Sequence, residues 1–290
     1  MIAELRGTCS YYSIDNLCAV FRYTRQAWYS HLRRLELHTF QEHIVLQKIR
    51  EIRKELPKTG CIKLYKELNS GFLQRLGISM GRDAIFDLVR GNGMLIKSKR
   101  RYAYTTNSHH RYRIHPDLVM RKPAGRAEQI WVSDITYIST VNGFSYLSLI
   151  TDAYSRKIVG YNLSVNLKAM GCIKALDDAI GHRYYPNSTL IHHSDRGTQY
   201  CCDDYVNHLN KYNILISMTQ TGSPYDNAIA ERVNGILKGE LDLYKIFKSH
   251  AHAKNAVDIA IYKYNNIRLH ASCNYRTPQE THAIKKNKIM

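Results

Sequence analysis

The stretch from residue 130 to 164 constrains the fold more than any other. IWVSDITYIS alternates its side chains with the period of a strand, VNG supplies a hairpin turn, FSYLSLITD is a second strand and SRKIVGYNLS a third. Strands joined so locally pair antiparallel. The pattern then changes: a helix is expected from about Lys168 to Ile180, followed by a short strand STLIHHS, a helix TQYCCDDYVNHLNKY, a strand ILISM and a further helix that carries Glu231. The order implies a mixed α/β sheet with helices on its faces, antiparallel at one side and parallel after the helical crossover.

Ahead of this sheet the chain reads as helical and basic. SIDNLCAVFRYTRQAWYSHLRR suggests two short helices separated by RYT, a helix-turn-helix outline with Thr24, Arg25 and Gln26 opening the second helix, where side chains meet base edges or phosphates. HTFQEHIVLQKIREIRKELP reads as a longer amphipathic helix ended by Pro57. CIKLYKELNSGFLQRLG and ISMGRDAIFDLVRGNGML then form a second helical pair, its second member opened by Ser79 and carrying Arg82 near its start. Residues 97–126 mix basic and aromatic side chains with Pro and Gly, which reads as a linker; Arg100 and Arg101 are its candidates for contact with a nucleic-acid backbone. The expected division is thus a helical DNA-binding region with two helix-turn-helix-like units at 1–96, a basic linker at 97–126 and a sheet domain with a C-terminal helical tail at 127–290.

Charge supports that division. The chain carries 42 Lys and Arg against 24 Asp and Glu, and residues 1–126 hold 24 of the basic and only 10 of the acidic groups. So uneven an excess favours a polyanion as partner, nucleic acid ahead of a small acidic substrate. The ordinary alternative is a helical bundle whose solvated face is basic. Seven scattered cysteines without a framework spacing point away from a disulfide scaffold, and no apolar run has signal-peptide or transmembrane character. A soluble cytoplasmic protein is expected, with no membrane partner.

Three acidic residues hold the chemistry. Asp134 lies in the middle of the first strand, on the face shared by Val132, Thr136 and Ile138, where a carboxylate is costly to bury unless it is paired, hydrogen-bonded or metal-bound. Asp195 follows the strand ending LIHHS, at a position where open α/β sheets place ligands, although a turn Asp bonding its own backbone is the plain alternative. Glu231 sits near the start of its helix, in the second turn if Asp226 is the cap; an exposed helical Glu beside Arg232 is the ordinary reading. Taken together, the three suit divalent-cation chemistry on phosphodiesters, in which two ions serve an attacking and a leaving oxygen on opposite sides of one phosphorus. His192 and His193 lack further ligands at zinc spacing and read as strand residues, one facing each way; Asp152 reads as a turn cap or ion-pair partner.

The words WVSDITYI, HHSDRGTQY and SPYDNAIAERVNGILKGE resemble the catalytic core of bacterial insertion-sequence transposases of the OrfB type, relatives of retroviral integrases with a ribonuclease-H-like fold. Sixty residues separate Asp134 from Asp195 and 35 separate Asp195 from Glu231, the latter a hallmark of that group. The resemblance implies that Asp134, Asp195 and Glu231 are the DDE metal-binding triad for Mg²⁺, with Mn²⁺ as substitute and two ions per site. It implies cleavage that exposes a 3'-hydroxyl at the ends of a mobile element and attack by that hydroxyl on target DNA. Lys238, seven residues beyond Glu231 and about two turns along the same helix, is the family's DNA-contacting position. Expected partners are double-stranded DNA, further copies of the chain on paired ends, and an upstream-frame product or fusion form, in a nucleoid-associated setting in a bacterium. YNNIRLHASCNYRTPQE is similar to the family's closing motif, which usually has Pro after the Arg and Leu-Gly before the next aromatic; Leu269 and Cys273-Asn274 stand there instead. A metal-dependent nuclease without strand transfer and a non-catalytic DNA-binding regulator are the alternative functions.

Overall fold

The computed structural model describes residues 13–96, 111–120, 123–220 and 228–284. The chain divides into two compact units, Met1–Lys54 with Gly60–Leu95, and Glu55–Thr59 with Ile96–Met290.

In the first unit, α1 (Ile14–Val20) is capped by Ser13, whose side chain accepts the Asn16 amide. The chain turns through Arg22 at φ +56°, and Thr24 Oγ1 accepts the Ala27 amide at 3.1 Å as α2 begins. Leu17 and Cys18 are buried against Ile14, Phe21 and Trp28. The second short helix expected from the sequence is not separate: α2 runs unbroken for 31 residues, Arg25–Glu55, and absorbs the amphipathic helix that follows. No Gly or Pro interrupts this stretch, and the helix stops where Leu56 precedes Pro57, whose ring disfavours helical backbone in the residue before it. Its C-terminal half buries Val45, Leu46 and Ile49 against Leu64 of α3 (Cys61–Glu67) and Ile85, Leu88 and Val89 of α4 (Arg82–Gly91). Between α3 and α4 the chain bends through a π-helical turn at Leu68–Phe72, with Gly71 at φ +135°. Ser79 does not open α4; the cap is Gly81, which offers no side chain.

The second unit is built on five strands, β1 (Ile130–Thr140), β2 (Gly143–Asp152), β3 (Ile158–Ser164), β4 (Ile191–Ser194) and β5 (Leu215–Met218), in the order β3-β2-β1-β4-β5. β1, β2 and β3 pair antiparallel, and β4 and β5 join in parallel, giving the mixed, ribonuclease-H-like sheet expected. The helices are α5 (Ala169–Gly181), α6 (Thr198–Cys201), α7 (Asp203–Lys211), α8 (Ala228–Gly239), α9 (His250–Asn266) and α10 (Pro278–Ala283). The helix expected from TQYCCDDYVNHLNKY is two: Cys202 is extended, with ψ 150°, and Asp203 and Asp204 open α7, where the helix dipole favours acids.

Trp131, Ile135 and Ile150 pack one face of the sheet against Cys172, Ala175 and Leu176 of α5 and Tyr205 of α7. Gly160 makes this contact possible, since a Cβ there would lie 2.3 Å from the Ala175 carbonyl oxygen. Ile138, Leu147 and Leu149 pack the other face against Val233, Ile236 and Leu237 of α8 and Val257, Ile261 and Tyr264 of α9.

Each outer strand is engaged at one end by a neighbouring segment, which limits the edge open to further pairing. At β3 the Asn265 side chain accepts the Ile158 amide at 3.0 Å and donates to its carbonyl at 2.9 Å. At β5, the Leu118 amide donates to Ser217 Oγ at 2.9 Å and the Met218 amide to the Pro116 carbonyl at 3.4 Å. Residues 116 and 118, in the stretch read as a linker, are therefore tied to the sheet. Among the described residues no helix is long and apolar enough to cross a membrane.

Candidate active site

The strand register brings the two aspartates side by side. β1 and β4 run parallel with Ser133 paired to Ser194 as the last register partners, so Asp134 and Asp195 are the next residues on neighbouring strands. Parallel register partners point to the same face, one strand spacing of about 4.8 Å apart. Asp134 remains within the β1–β2 ladder opposite Leu149, whereas Asp195 begins the loop. Asp195 Oδ1 accepts the Gly197 amide at 2.9 Å, and Arg196 Nε donates to the Thr219 carbonyl at 2.7 Å. Asp195 thus makes the backbone turn contact of the plain alternative and also stands beside Asp134.

α8 supplies the third side of the site. Glu231 is in its first described turn and exposed; Asp226, invoked as the cap, lies outside the described residues. Asn234, one turn later, donates from Nδ2 to Asp134 Oδ2 at 2.6 Å, while Asp134 Oδ1 accepts the Ile135 amide at 2.9 Å. The pKa of Asp134 is pushed up to about 7, first by burial, then by the negative charge of Asp195; Glu231 adds to the rise, while the Ile135 amide and Lys238 oppose it. Asp134, Asp195, Glu231 and Lys238 therefore share one electrostatic environment.

Four sequence candidates belong to the first unit, at helix starts. Thr24 is engaged in capping α2, Arg25 is exposed, 3.5 Å from Asp15 and over the Tyr29 ring, Gln26 is exposed, and Arg82 opens α4 with Nε 2.8 Å from Asp83. Arg100 and Arg101 lie outside the described residues.

The donor set at Asp134 is hard carboxylate oxygen, the chemistry that Mg²⁺ prefers, and the upward shift of Asp134, caused first by burial and then by the charge of Asp195, is one that a cation would relieve. These two features fit a divalent ion. The carboxylates are not drawn into a closed shell: among the described residues no three His, Cys, Asp or Glu side chains are gathered in a ligand cluster.

The adjacent histidines do different work. His192 Nε2 lies 2.6 Å from Ser133 Oγ and 2.9 Å from Tyr205 Oη, and burial pushes its pKa down to about 3, so it is a neutral core residue. His193 Nδ1 lies 2.8 Å from Ser217 Oγ. Both are buried, one bonding to β1 and α7, the other to β5. Asp152 is a turn cap, accepting the Ser155 amide at 2.7 Å. Asn234 is the site residue that the sequence reading missed; its position three residues after Glu231, one helical turn along the same flank, was the available signal.

Residues 124–224 and 212–278 match two family models, each described as an integrase core domain. The "Insertion element IS600 uncharacterized 31 kDa protein" of Shigella sonnei is 35% identical over 228 residues, covering 77% of this chain and 81% of that protein. The chain belongs to the OrfB-type family of bacterial insertion-sequence transposases. The "Transposase for insertion sequence element IS629" of Shigella sonnei is 28% identical, covering 93% of this chain and 91% of its own length. "Transposase InsF for insertion sequence IS3A" of Escherichia coli (strain K12) is 27% identical, covering 93% of both.

Family membership makes the closing motif interpretable. Asn265 covers the β3 edge, Arg268 forms a bidentate pair with Glu240 at 2.8 Å for each bond, and Thr277 and Glu280 form a capping box at α10. Asn274, where the resemblance of the closing motif leads one to expect Gly, is left-handed at φ +53°, ψ 40°. Asn is among the few non-glycine residues that take this conformation at low cost, so the departure preserves the turn.

Proposed function

We propose that the chain cleaves phosphodiester bonds at the ends of a mobile element and joins the exposed 3'-hydroxyl to target DNA. The observation that carries this reading is the placing of Asp195, just past the end of β4, next to Asp134 of the parallel strand β1 and near Glu231 of α8, with Asp134 pushed up to about 7 by burial and by the acids around it. Asp134 and Asp195 would hold divalent cations from the sheet, and Glu231 would complete the ligand set from α8. Bound Mg²⁺, two ions per site with Mn²⁺ as substitute, supplies an activated oxygen nucleophile and a stabilised leaving oxygen at one phosphorus. Lys238, at the far end of α8, places a positive charge on the same side as Glu231 for the DNA backbone.

In the first unit, Thr24, Arg25, Gln26 and Arg82 at two helix starts are assigned to element-end DNA, with Arg100 and Arg101 adding backbone contacts. Joining two ends requires at least two copies of the chain on DNA, alone or with an upstream-frame product, in the bacterial nucleoid.

The test incubates the purified protein with duplex oligonucleotides carrying the element's terminal repeats, with and without Mg²⁺ or Mn²⁺, and compares wild type with Glu231→Gln. Metal-dependent cleavage and joined products that vanish in the variant support the reading. Cleavage that survives the substitution places the chemistry elsewhere, cleavage without joining leaves a nuclease, and binding without cleavage leaves a regulator.

A further inference from the structure

Asp134 is held at both carboxylate oxygens. One bond comes from its own strand, the Ile135 amide to Oδ1 at 2.9 Å; the other crosses from α8, Asn234 Nδ2 to Oδ2 at 2.6 Å. A carboxylate has about four acceptor positions, so two bonds fix its rotation and leave acceptor capacity for a cation. Only one orientation of the Asn234 amide suits an ionised Asp134, because the reverse would set two oxygens against each other at the 2.6 Å contact. Asn234 is only 9% exposed, and its other amide atom, Oδ1, is buried without a partner among the described residues. Buried polar side-chain atoms nearly always have partners, so an unsatisfied acceptor next to the central acid marks a place where a donor belongs. Attachment of α8 to the sheet does not need this bond, since Ala230, Val233, Ile236 and Leu237 are at most 4% exposed and pack into the core.

We infer that Asn234 is a positioning residue for this site, one that sets the rotation of the Asp134 carboxylate and couples it to the helix carrying Glu231. The inference rests on the reading of Asp134, Asp195 and Glu231 as cation ligands. In it, a cation meets an acid whose oxygens are already aimed, and the spacing between Asp134 and Glu231 is set by one turn of α8. Groups that orient metal ligands in this manner change cation affinity by about 10- to 100-fold when removed.

The experiment uses the full chain without DNA. Mn²⁺ is titrated by calorimetry into wild type, Asn234→Leu, which keeps the shape but neither donates nor accepts, and Asn234→Ser, which is too short to reach Asp134. Thermal unfolding in EDTA is recorded for each protein, and the Mg²⁺ dependence of strand joining is measured in parallel. The expected result is about tenfold weaker Mn²⁺ binding in both variants, joining that recovers at high Mg²⁺, and little change in the metal-free melting temperature. If Asn234→Leu does not fold, Asn234→Ser decides. Wild-type affinity in a folded variant overturns the inference, as does a fall in metal-free stability with affinity unchanged. A wild-type protein that takes up no Mn²⁺ overturns both the ligand reading and the inference, whereas wild-type binding with unaffected variants overturns the inference alone.

Discussion

The sheet unit contains two clusters of acidic side chains, and they are resolved in opposite ways. At one end of β1, Glu128 and Asp152 are buried at 1% and 0% exposure, yet each is surrounded by donors. Glu128 accepts the Tyr184 and Tyr185 amides at 2.6 and 2.9 Å and lies 3.4 Å from Arg183. Asp152 accepts the Glu128 and Ser155 amides, and His282 of α10 lies within 3.8 Å of both acids. Burial tends to raise the Glu128 pKa, but the bonds from His282, Tyr184 and Tyr185 outweigh it and the net shift is down. Around Asp134 burial and like charge act together and the shift is up, to about 7. The first cluster is compensated by its own protein; in the second, burial and like charge go uncompensated, which makes it the candidate ligand-binding set of the two.

The largest effect expected is catalytic. Asp134→Asn should cut strand joining on the order of 10³-fold, several kcal/mol of transition-state stabilisation, in the oligonucleotide assay. Glu128→Gln should instead act on folding. Breaking a buried, paired charge leaves Arg183 without its acid and His282 with Asp152 alone, and should lower stability by about 3 kcal/mol in urea titration, with joining per folded molecule unchanged. If Glu128→Gln abolished joining while the protein stayed folded, or Asp134→Asn unfolded it, the division between the clusters would collapse.

The opposite sign on stability is the next, smaller effect. Without metal, Asp134→Asn removes a charge that burial and Asp195 disfavour and should stabilise the fold by about 1–3 kcal/mol at pH 8. Saturating Mg²⁺ should stabilise wild type, by about 2.7 kcal/mol at 100 times the dissociation constant, and stabilise Asp134→Asn much less. Equal responses of the two proteins to Mg²⁺, measured by thermal shift, would remove Asp134 from the ligand set.

How much of this was legible in the sequence depended on the range of the interaction. The β1–β2 hairpin was readable because VNG and the alternation around it are local, and the mixed strand order followed from the helices between later strands. Asp134, Asp195 and Glu231 stand out because Asp134 lies at a strand position that penalises an unexplained acid, and because the spacing of the three and the words around them match a known group. The turn at RYT is real and lies between α1 and α2, whereas the continuity of α2 escapes the sequence reading because a break after Arg34 and a new start at HTF are read where no Gly or Pro separates them. Cys202 was missed because an extended residue between two helices leaves little trace when both sides favour helix. Glu128 and His282 are remote in sequence, and only folding shows that one answers the other. Asn234 lay in view within AERVNG, but its bond to Asp134 depends on how α8 crosses β1, a tertiary fact.

The smallest effect separates the clusters by pH. Asp134 has a folded pKa above its unfolded value, so the metal-free fold retains a proton that the unfolded chain releases, and stability should fall as pH rises between about 4 and 7. For His282, burial opposes the charged ring, but Asp152 and Glu128 outweigh it and raise the pKa. Its contribution is therefore complete below the ordinary histidine value of about 6.5 and is lost as pH rises through the higher folded value. Glu128, shifted down, contributes above about 4.5 and loses that contribution as pH falls through its folded value. Both clusters thus lower stability as pH rises, in different windows. In EDTA, Asp134→Asn should flatten the curve between pH 5 and 7 and leave a decline above it. His282→Gln should lower the curve on the acid side of the raised His282 pKa and so remove the later decline. A single decline that disappears with Asp134→Asn alone would mean that His282 gains no proton on folding, and the self-compensation assigned to its cluster would have to come from the backbone amides and Arg183.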